Sequence, residues 1–549
     1  MGVMTVLRGL MKPVRYAVLL AGALPVLAFP GLNLEFLAWF GLVPGLLIMR
    51  AAPSAREAAV RGWWFGTGFM LAAHYWLAPN LGPALLLVAV VLGVLWIPVA
   101  VSTWLLLRPP VSAARALAAL VVVPSFWLVI EWIRSWQALG GPWALLGTSQ
   151  WQHPAVLALA AVGGVWLVSF AIVAANTGIV ILLTAGQIAV RALGAAATAA
   201  MVAAGPVAFA LVPASHPTGF VTVALVQPGL VHNPQLRVDA SERLSAGLRG
   251  HHPDLIVWGE SSVAYELSRA PGLLARIRAL SAADGAQILA DQDSLTPDGG
   301  KSKVAVLVGP RGIEATYTKA RLVPFGEYIP FRQQLGWLTK ISRAAAVNMT
   351  PGPGAKVLQV TTRDGQRIPI GVLICFESAF PDMSRVDARR GARLIVYQTS
   401  DSTFQQSWAP AQHASLGAVR AAETGRPVVQ AALTGDTVAY DAQGRLLASM
   451  NTAQRGVLFV RLGLVPATAQ TPFDRIGEVV PWTAIGIALV SLLVLFHTWR
   501  PHRPVRLLLD VNRRPAPTVS LLGTSREQDS GSKPAEPGED TASSPQPGR

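Results

Sequence analysis

The sequence predicts an α/β domain attached to a bundle of about eight transmembrane helices. Of its 549 residues, 52% are hydrophobic and only 14% are charged, a composition that indicates membrane spans rather than several soluble domains. Long apolar segments occupy the first 212 residues, and one more lies near the C-terminus. Between about residues 219 and 468 the pattern changes to short Val- and Ile-rich runs that alternate with helical stretches.

The apolar segments predict seven helices before the α/β domain and one after it, because each approaches the roughly 20 residues needed to cross the hydrocarbon core. We place them at about 14–30, 33–50, 60–78, 84–107, 116–133, 155–184, 188–212 and 481–499. The first has a basic flank at Arg8, Lys12 and Arg15. Six further segments follow it without a convincing cleavage site, so we interpret it as an anchor rather than a signal peptide.

The positions of Lys and Arg in the short loops predict the orientation. Basic residues lie at the N-terminus, in 50–61, in 108–115, near Arg191 and after the last span, whereas 31–32 and 79–83 carry none. Arg134, in the longer 134–154 connection, is the exception. Both termini are therefore expected in the cytoplasm and the α/β domain on the extracytoplasmic side. This topology also accounts for the net charge of +15, which forms no basic, aromatic-rich stripe for nucleic acid.

The predicted domains are a membrane bundle (1–212), an exported α/β domain (213–470), a final transmembrane helix (471–500) and a basic, then disordered, tail (501–549). Helices in the α/β domain are expected at about 238–249, 272–283 and 409–424. Its strands are expected at Val221–Val226, Leu255–Trp258, Gln287–Ala290, Val304–Val308, Ala315–Tyr317, Ile368–Ile374, Leu394–Tyr397 and Val428–Ala432. Several are continuous apolar runs, as expected for strands covered on both faces.

Polar side chains follow several of these strands, where ligands gather in α/β sheets. Glu260 follows one strand and Cys375, the only cysteine of the chain, follows another. A loop between them carries Lys319 and Glu327. A lone thiol cannot form an internal disulfide; as a nucleophile it needs a base and a cation, which Glu260 and Lys319 could supply. A dyad of Cys375 with His413 is an alternative, although no partner pattern surrounds that histidine.

Each of these residues also has a purely structural explanation. Cys375 could be a small buried apolar residue, Glu260 a carboxylate at a helix N-terminus, and Lys319 a solvated loop cation. Glu327 and Glu377 could pair with nearby arginines. From the residues alone, a Glu/Lys/Cys site is one interpretation among several.

The order of three motifs resembles the nitrilase superfamily. They are Trp258-Gly-Glu260, then Tyr317-Thr-Lys-Ala-Arg-Leu-Val-Pro-Phe-Gly-Glu-Tyr-Ile-Pro330, then Leu373-Ile-Cys-Phe-Glu377. With the apolar segments, the second motif resembles the apolipoprotein N-acyltransferase family. Three further segments are similar to that family: Glu131-Trp-Ile-Arg-Ser-Trp136 with Gly141-Pro-Trp143 and Gly147-Thr-Ser-Gln150, Arg420 with Glu423 and Arg426, and Thr471-Pro-Phe473. The resemblance runs from about residue 15 to 500 and implies a four-layer αββα sandwich inserted in the helix bundle.

The resemblance implies an acyltransferase of the bacterial inner membrane that needs no metal or cofactor. Cys375 would take an acyl chain from a phospholipid, expected to be phosphatidylethanolamine, and pass it to the α-amine of a diacylglyceryl apolipoprotein. Glu260 would be the general base, and Lys319 would stabilise the tetrahedral intermediates with a backbone N–H near Phe376. Glu327 would support Lys319 or the base Glu260, and Glu377 would organise the Cys375 loop. We expect a monomer with no nucleic-acid partner.

The sequence departs from the family's pattern at three places. The strand ending at Tyr397 is followed by Thr399-Ser-Asp-Ser-Thr-Phe404, where Asp401 and Phe404 match but the expected Trp and Gly are absent. Phe376 replaces the usual Tyr, and the loop after Gln227 lacks an expected Trp. These changes put the acyl-chain preference in doubt more than the chemistry.

Other functions are less consistent with the residues. A membrane-anchored nitrilase-type amidase would share the Glu/Lys/Cys set and is the main alternative. A transporter or scaffold should carry charged residues inside its spans, and here they hold few besides Glu131. We interpret Glu131 and Arg134, three residues apart on one helix, as an interfacial ion pair rather than a substrate contact.

Overall fold

The computed structural model describes residues 13–213, 215–296, 299–340 and 348–499, so the predicted tail at 501–549 lies outside the described residues. Before the α/β domain the chain is helical, and we call residues 13–211 the apolar bundle. Its helices are α1 Pro13–Ala23, α2 Val43–Arg50, α3 Ala55–Ala73, α4 Ala78–Leu81, α5 Ala84–Gly93, α6 Ile97–Leu107, α7 Ala113–Arg134, α8 Pro154–Thr184 and α9 Ile188–Leu211.

Four helical segments of the described chain are long and apolar enough to cross a membrane. They are Ala84–Leu107, in which a 3-10 turn joins α5 to α6, and α7, α8 and α9. Shorter apolar helices run over Pro13–Ala28 and Val479–Leu495. The predicted total of about eight spans is thus supported in part, and the rest of the count stays a prediction.

The predicted span at 33–50 is wrong as a single helix. A 3-10 helix, Glu35–Trp39, ends before Gly41, and α2 begins only at Val43 with Pro44 in its first turn. Proline cannot donate a backbone hydrogen bond and suits a helix start, so the chain breaks where the apolar composition alone suggested continuity. The predicted span at 60–78 corresponds to α3, which begins at a Ser54 cap and carries Arg56, Glu57 and Arg61.

The α/β domain contains two six-stranded sheets, with the orders β12-β1-β2-β3-β4-β5 and β11-β10-β9-β8-β7-β6. The strands are β1 Gly219–Gln227, β2 Leu255–Trp258, β3 Gln287–Leu295, β4 Lys301–Gly309, β5 Gly312–Thr318, β6 Val357–Thr361, β7 Arg367–Ile374, β8 Leu394–Thr399, β9 Val428–Ala432, β10 Thr437–Tyr440, β11 Leu446–Met450 and β12 Gly456–Leu464. All eight predicted strands are present. The four that were not predicted are β6, β11 and β12, which are partly exposed, and β10, which has only four residues.

Successive side chains of each strand point to opposite faces of the sheet, and the two faces pack against different layers. One face of β1, with Val223 and Leu225, packs against residues of the second sheet such as Ile370 and Val372. The other face, with Ala224 and Val226, packs with residues of two helices. The helices of the domain and of the C-terminal end are α10 Pro234–Ala246, α11 Pro271–Asp284, α12 Arg332–Leu335, α13 Pro381–Arg389, α14 Ala409–Thr424, α15 Pro472–Ile476 and α16 Val479–Trp499. With α10 and α11 outside one sheet and α13 and α14 outside the other, the layer order is αββα.

The α/β domain is packed directly on the apolar bundle. One continuous apolar core includes Leu146 and Val165 of the bundle together with Leu416 and Tyr440 of the domain. Helix α8 is kinked at Gly163 and Gly164, and Gly164 has a φ of 71° with the Phe473 ring where a Cβ would lie. The kink frees the N–H of Val165, which donates to the Glu423 carboxylate of α14 at 2.8 Å. A buried carboxylate therefore joins the domain to the bundle where the helix is interrupted.

Glu131 and Arg134 hold the 135–150 connection through its backbone rather than through an ion pair. Glu131 Oε1 accepts hydrogen bonds from the Leu146 N–H at 2.6 Å and from Trp127 Nε1 at 3.0 Å. Arg134 donates to the Trp143 carbonyl at 2.6 Å. The two residues fix this loop, as predicted, but each does so by a hydrogen bond to a backbone group of the loop. The predicted ion pair between Glu131 and Arg134 is therefore wrong.

Candidate active site

The sheet topology brings Glu260, Lys319 and Cys375 to one edge of the sandwich. Strands β1, β2 and β3 are parallel, and β5 runs in the same direction because two antiparallel steps separate it from β3. Glu260 therefore follows β2, and Lys319 follows β5, at the same edge. Cys375 follows β7 of the other sheet, and Gln398 of that sheet donates to the carbonyls of Trp258 (2.8 Å) and Leu289 (3.2 Å) across the interface.

Lys319 lies between two carboxylates and is fully buried. Its Nζ is 3.2 Å from Glu260 Oε1 and 2.7 Å from Glu327 Oε1. Burial opposes its charge, but the two carboxylates raise the pKa of Lys319 well above its ordinary value. The second oxygen of Glu327 accepts the Val323 N–H at 2.8 Å, which fixes the carboxylate that holds the ammonium.

The Cys375 thiol is protonated and faces the Glu260 carboxylate. Burial, and then the charge of Glu260, raise the pKa of Cys375 well above its usual value. Burial acts to raise the pKa of Glu260, but the charges of Lys319 and Lys303, together with hydrogen bonds from Cys375 and Lys319, lower it below its ordinary value. At neutral pH the resting arrangement is therefore a thiol, a carboxylate and an ammonium, and the carboxylate is placed to receive the thiol proton.

Glu377 fixes the short 3-10 helix that begins at Cys375, Cys375–Ala379, which we call the Cys375 turn. Its Oε1 accepts hydrogen bonds from the Tyr317 hydroxyl (2.8 Å) and from the backbone N–H groups of Ala320 (2.6 Å) and Arg321 (2.9 Å). Its Oε2 accepts the Ile374 N–H at 2.8 Å. One buried carboxylate therefore ties the Cys375 turn to the loop that carries Lys319.

A second cluster of ionisable side chains lies behind Glu260. Asp291 accepts a hydrogen bond from the Ser261 N–H at 2.7 Å, while Lys303 donates to Asp293 at 2.6 Å and to the Ser261 hydroxyl. Burial raises the pKa of Asp291 to about 8, although the Lys303 charge acts against it. Ser261 has a φ of 55°, a conformation that non-glycine residues rarely adopt. These contacts hold the strained turn that positions Glu260.

The Cys375 turn is also packed against the apolar bundle. Phe376 is 3% exposed, and its ring lies against Phe380 (4.9 Å between centroids) and beside Gly141, where a Cβ would come within 2.8 Å of the ring. In the adjoining loop, Gln137 donates to the Leu322 carbonyl at 2.9 Å. The bundle therefore contacts both the Cys375 turn and the Lys319 loop.

A polar cavity of about 160 Å³ lies beside the Glu260 turn. Hydroxyl groups line it at Ser261, Ser400, Ser402 and Thr434. Arg237 also lines it, but this side chain donates to the carbonyls of Val231 (3.1 Å) and Ser261 (2.7 Å). These hydrogen bonds hold the loop after β1 against the Glu260 turn.

The structural explanations for Lys319, Glu260, Glu327 and Glu377 do not fit. Lys319 is buried rather than solvated, and Glu260 starts no helix. Glu327 pairs with Lys319, and Glu377 binds backbone N–H groups, so neither depends on an arginine side chain.

The imidazole of His413 reaches the Cys375 carbonyl (3.2 Å) rather than completing a dyad with the thiol, which faces Glu260. Asp401, at 3.0 Å from its Nδ1, and Ser378, at 2.8 Å from its Nε2, were not predicted as its partners. They are far apart in sequence, and only the turns after β7 and β8 bring them together. The one sequence signal for this group was the position of Asp401, two residues after the apolar strand β8. Within the described chain, no group of three or more His, Cys, Asp or Glu side chains is placed to bind a metal ion.

The fold and the thiol, carboxylate and ammonium cluster define a carbon–nitrogen hydrolase domain carried by apolar helices. Residues 222–469 match the carbon-nitrogen hydrolase family model, and residues 21–178 match the apolipoprotein N-acyltransferase N-terminal domain model. The amidase of Nesterenkonia sp., a solved structure, aligns with 49% of this chain and 96% of its own at 20% identity and a TM-score of 0.34.

Full-length relatives give the particular family. An apolipoprotein N-acyltransferase of Geobacter metallireducens is 30% identical over 506 residues, which cover 86% of this chain and 94% of that protein. The apolipoprotein N-acyltransferases of Chlorobaculum tepidum and Pseudomonas syringae are 28% and 29% identical to this chain, and each alignment covers 95% of the relative. The chain belongs to the apolipoprotein N-acyltransferase family.

Proposed function

We propose that this protein transfers an acyl chain from a membrane phospholipid to the α-amino group of the N-terminal diacylglyceryl-cysteine of apolipoproteins. One observation carries the proposal: the Cys375 turn, which presents a partly buried thiol beside a carboxylate and an ammonium, packs directly on an apolar helix bundle. A thiol at this junction can reach an ester of a lipid that lies against the bundle. The family relationship supports the same reaction.

The first half-reaction forms a thioester. Glu260 accepts the thiol proton as the sulfur attacks the ester carbonyl, and the Lys319 ammonium, with a backbone N–H near Phe376, stabilises the oxyanion. The tetrahedral intermediate collapses by breaking the C–O bond. The lysophospholipid oxygen takes the proton from Glu260, so the carboxylate is restored and the acyl chain stays on Cys375.

The second half-reaction transfers the acyl chain to the amine. The α-amine attacks the thioester carbonyl, Glu260 accepts the amine proton, and the C–S bond breaks to release the thiolate. The proton then returns from Glu260 to sulfur, which regenerates the resting thiol. Glu327 keeps Lys319 aimed at the reacting carbonyl in both halves, and Glu377 keeps the Cys375 turn against the Lys319 loop.

The proposal includes the setting of the reaction. The protein would be a monomer in the bacterial inner membrane with both termini in the cytoplasm, and residues 213–470 would form the extracytoplasmic domain between the bundle (1–212) and the last helix (471–500). The donor would be phosphatidylethanolamine. Eight spans fit the basic loops, because an even number returns the C-terminus to the side of the N-terminus.

The test is a reconstituted transfer reaction. The purified protein is incubated with phosphatidylethanolamine and a synthetic diacylglyceryl-cysteine peptide, and lysophospholipid and N-acyl peptide should form in equal amounts. Cys375→Ser should insert into the membrane but form neither product. Release of ammonia from small amides without lysophospholipid would instead identify a membrane-anchored amidase.

A further inference from the structure

The backbone at Cys375 is held in an unfavourable conformation. Its φ is 52°, in the left-handed region that residues with a side chain rarely adopt. Such a conformation persists only when the surrounding contacts fix it. Glu377 provides contacts on one side of the turn, but its hydrogen bonds end at Ile374 and do not reach the Cys375 carbonyl.

A buried group of three side chains provides the contacts on the other side. The Ser378 hydroxyl donates to the Cys375 carbonyl at 2.8 Å. His413 Nε2 lies 2.8 Å from the same hydroxyl oxygen and 3.2 Å from the carbonyl oxygen, and its Nδ1 lies 3.0 Å from Asp401 Oδ1. The imidazole is 2% exposed, so water does not replace these partners.

The partners of His413 offer a hydrogen-bond acceptor to each ring nitrogen. Asp401 is an acceptor for Nδ1–H, and the Cys375 carbonyl is an acceptor for Nε2–H. Burial acts against protonation, but the charge and hydrogen bond of Asp401, with the Cys375 carbonyl and the more distant Glu260, raise the pKa of His413 above its ordinary value. An imidazolium can thus hold the carbonyl of the Cys375 turn and the Asp401 loop at once.

The opposite side of this group is the apolar bundle. The Trp143 ring lies edge-on to His413 with 5.5 Å between centroids, and Trp143 contacts Trp76 at the same spacing. Trp76 also packs on Phe404, whose N–H donates to the Asp401 carbonyl at 2.9 Å. The bundle therefore closes the space around the imidazole and the loop that carries Asp401.

We propose that Asp401, His413 and Ser378 form a positioning relay that holds the Cys375 carbonyl and so keeps the thiol aimed at Glu260. His413 is a positioning residue, since its imidazole contacts the backbone of Cys375 and no reacting atom. This inference rests on the proposed function, because the step that it accelerates is formation of the thioester on Cys375.

The test compares two substitutions of His413. His413→Gln can keep a donor at the place of Nε2, whereas His413→Leu removes the donor but keeps an apolar side chain against Trp143. We expect Leu to slow single-turnover thioester formation by about 10- to 100-fold, as for a misplaced reacting group, and Gln to stay within about threefold of the wild type. The KM for the acceptor peptide should change little in either variant. His251→Gln, at an exposed histidine of the same domain, is the matched control.

Thioester formation at the wild-type rate in His413→Leu, or equal slowing by Leu and Gln, would overturn the relay. If His413→Leu does not fold, Asp401→Asn decides: the relay predicts slower thioester formation, and an unchanged rate contradicts it. Failure of the proposed function is distinguishable because the wild type itself would then form no thioester. In that case the alkylation rate of Cys375, the only thiol in the chain, still compares the variants.

Discussion

Replacing Lys319 by Met tests the electrostatics of the site most sharply. The ammonium lies 3.2 Å from Glu260 and 2.7 Å from Glu327, and at an effective dielectric constant of 20 each attraction amounts to about 5–6 kcal/mol before desolvation is subtracted. Removing one partner of a buried ion pair leaves uncompensated charge and typically costs about 3–5 kcal/mol. We therefore expect the free energy of unfolding of Lys319→Met to fall by about that amount.

Activity should fall for a separate reason. Loss of one group that stabilises an oxyanion lowers kcat by about 10²- to 10³-fold, and Glu260 without its counter-ion becomes a carboxylic acid that cannot accept the thiol proton. The double variant Lys319→Met/Glu327→Gln removes one of the two carboxyl groups that lose their ammonium partner. It should regain part of the lost stability but none of the activity.

The assays are thermal unfolding in detergent and N-acylation of a synthetic diacylglyceryl peptide. Lys301→Met, at an exposed lysine that begins β4, is the matched control and should change the free energy of unfolding by less than about 0.5 kcal/mol. Transfer by Lys319→Met within tenfold of the wild-type rate would refute the reasoning, and so would recovery of activity in the double variant.

Three further predictions concern the supports of the site and the topology. Glu377→Gln replaces an acceptor oxygen by an amide donor among four donors, so the free energy of unfolding should fall by about 1–3 kcal/mol and the melting temperature should fall with it. Acyl transfer should slow at least tenfold, and unchanged stability and activity would exclude an anchoring role. In the folded protein Asp291 keeps its proton up to about pH 8, whereas in the unfolded chain it loses the proton at its ordinary pKa, so rising pH between these two values favours unfolding. The fall in melting temperature from pH 6 to pH 8 should therefore be smaller in Asp291→Asn than in the wild type. An equal fall in both proteins would contradict this. A reporter fused at about residue 300 should be exported, and cytoplasmic reporter activity would overturn the proposed orientation.

The sequence predicted the parts of the site that follow buried strands. Glu260 and Cys375 each come directly after a continuous apolar run, and strand direction is enough to place such residues at one edge of a sheet. Lys319 follows β5, where the partly exposed strand gave a weaker signal. Seven of the eight predicted strands are mostly buried apolar runs covered on both faces, and β5 is the exception.

The sequence could not predict contacts that depend on turns and on packing between distant segments. Ser378, Asp401 and His413 meet because two turns and helix α14 converge, and neither spacing nor periodicity encodes that meeting. Likewise, hydropathy treated 33–50 as one span, although the short range around Gly41 and Pro44 interrupts the helix. Local apolar content predicts burial, but it does not predict where a backbone hydrogen bond is lost.

Mass spectrometry of Cys375 tests the central claim most directly. After incubation with phosphatidylethanolamine and no acceptor, the peptide that contains Cys375 should carry one acyl chain as a thioester, and addition of a diacylglyceryl-cysteine peptide should remove it at the rate at which N-acyl peptide forms. An unmodified Cys375 during active transfer, or an acyl chain on a serine or lysine instead, would contradict the account.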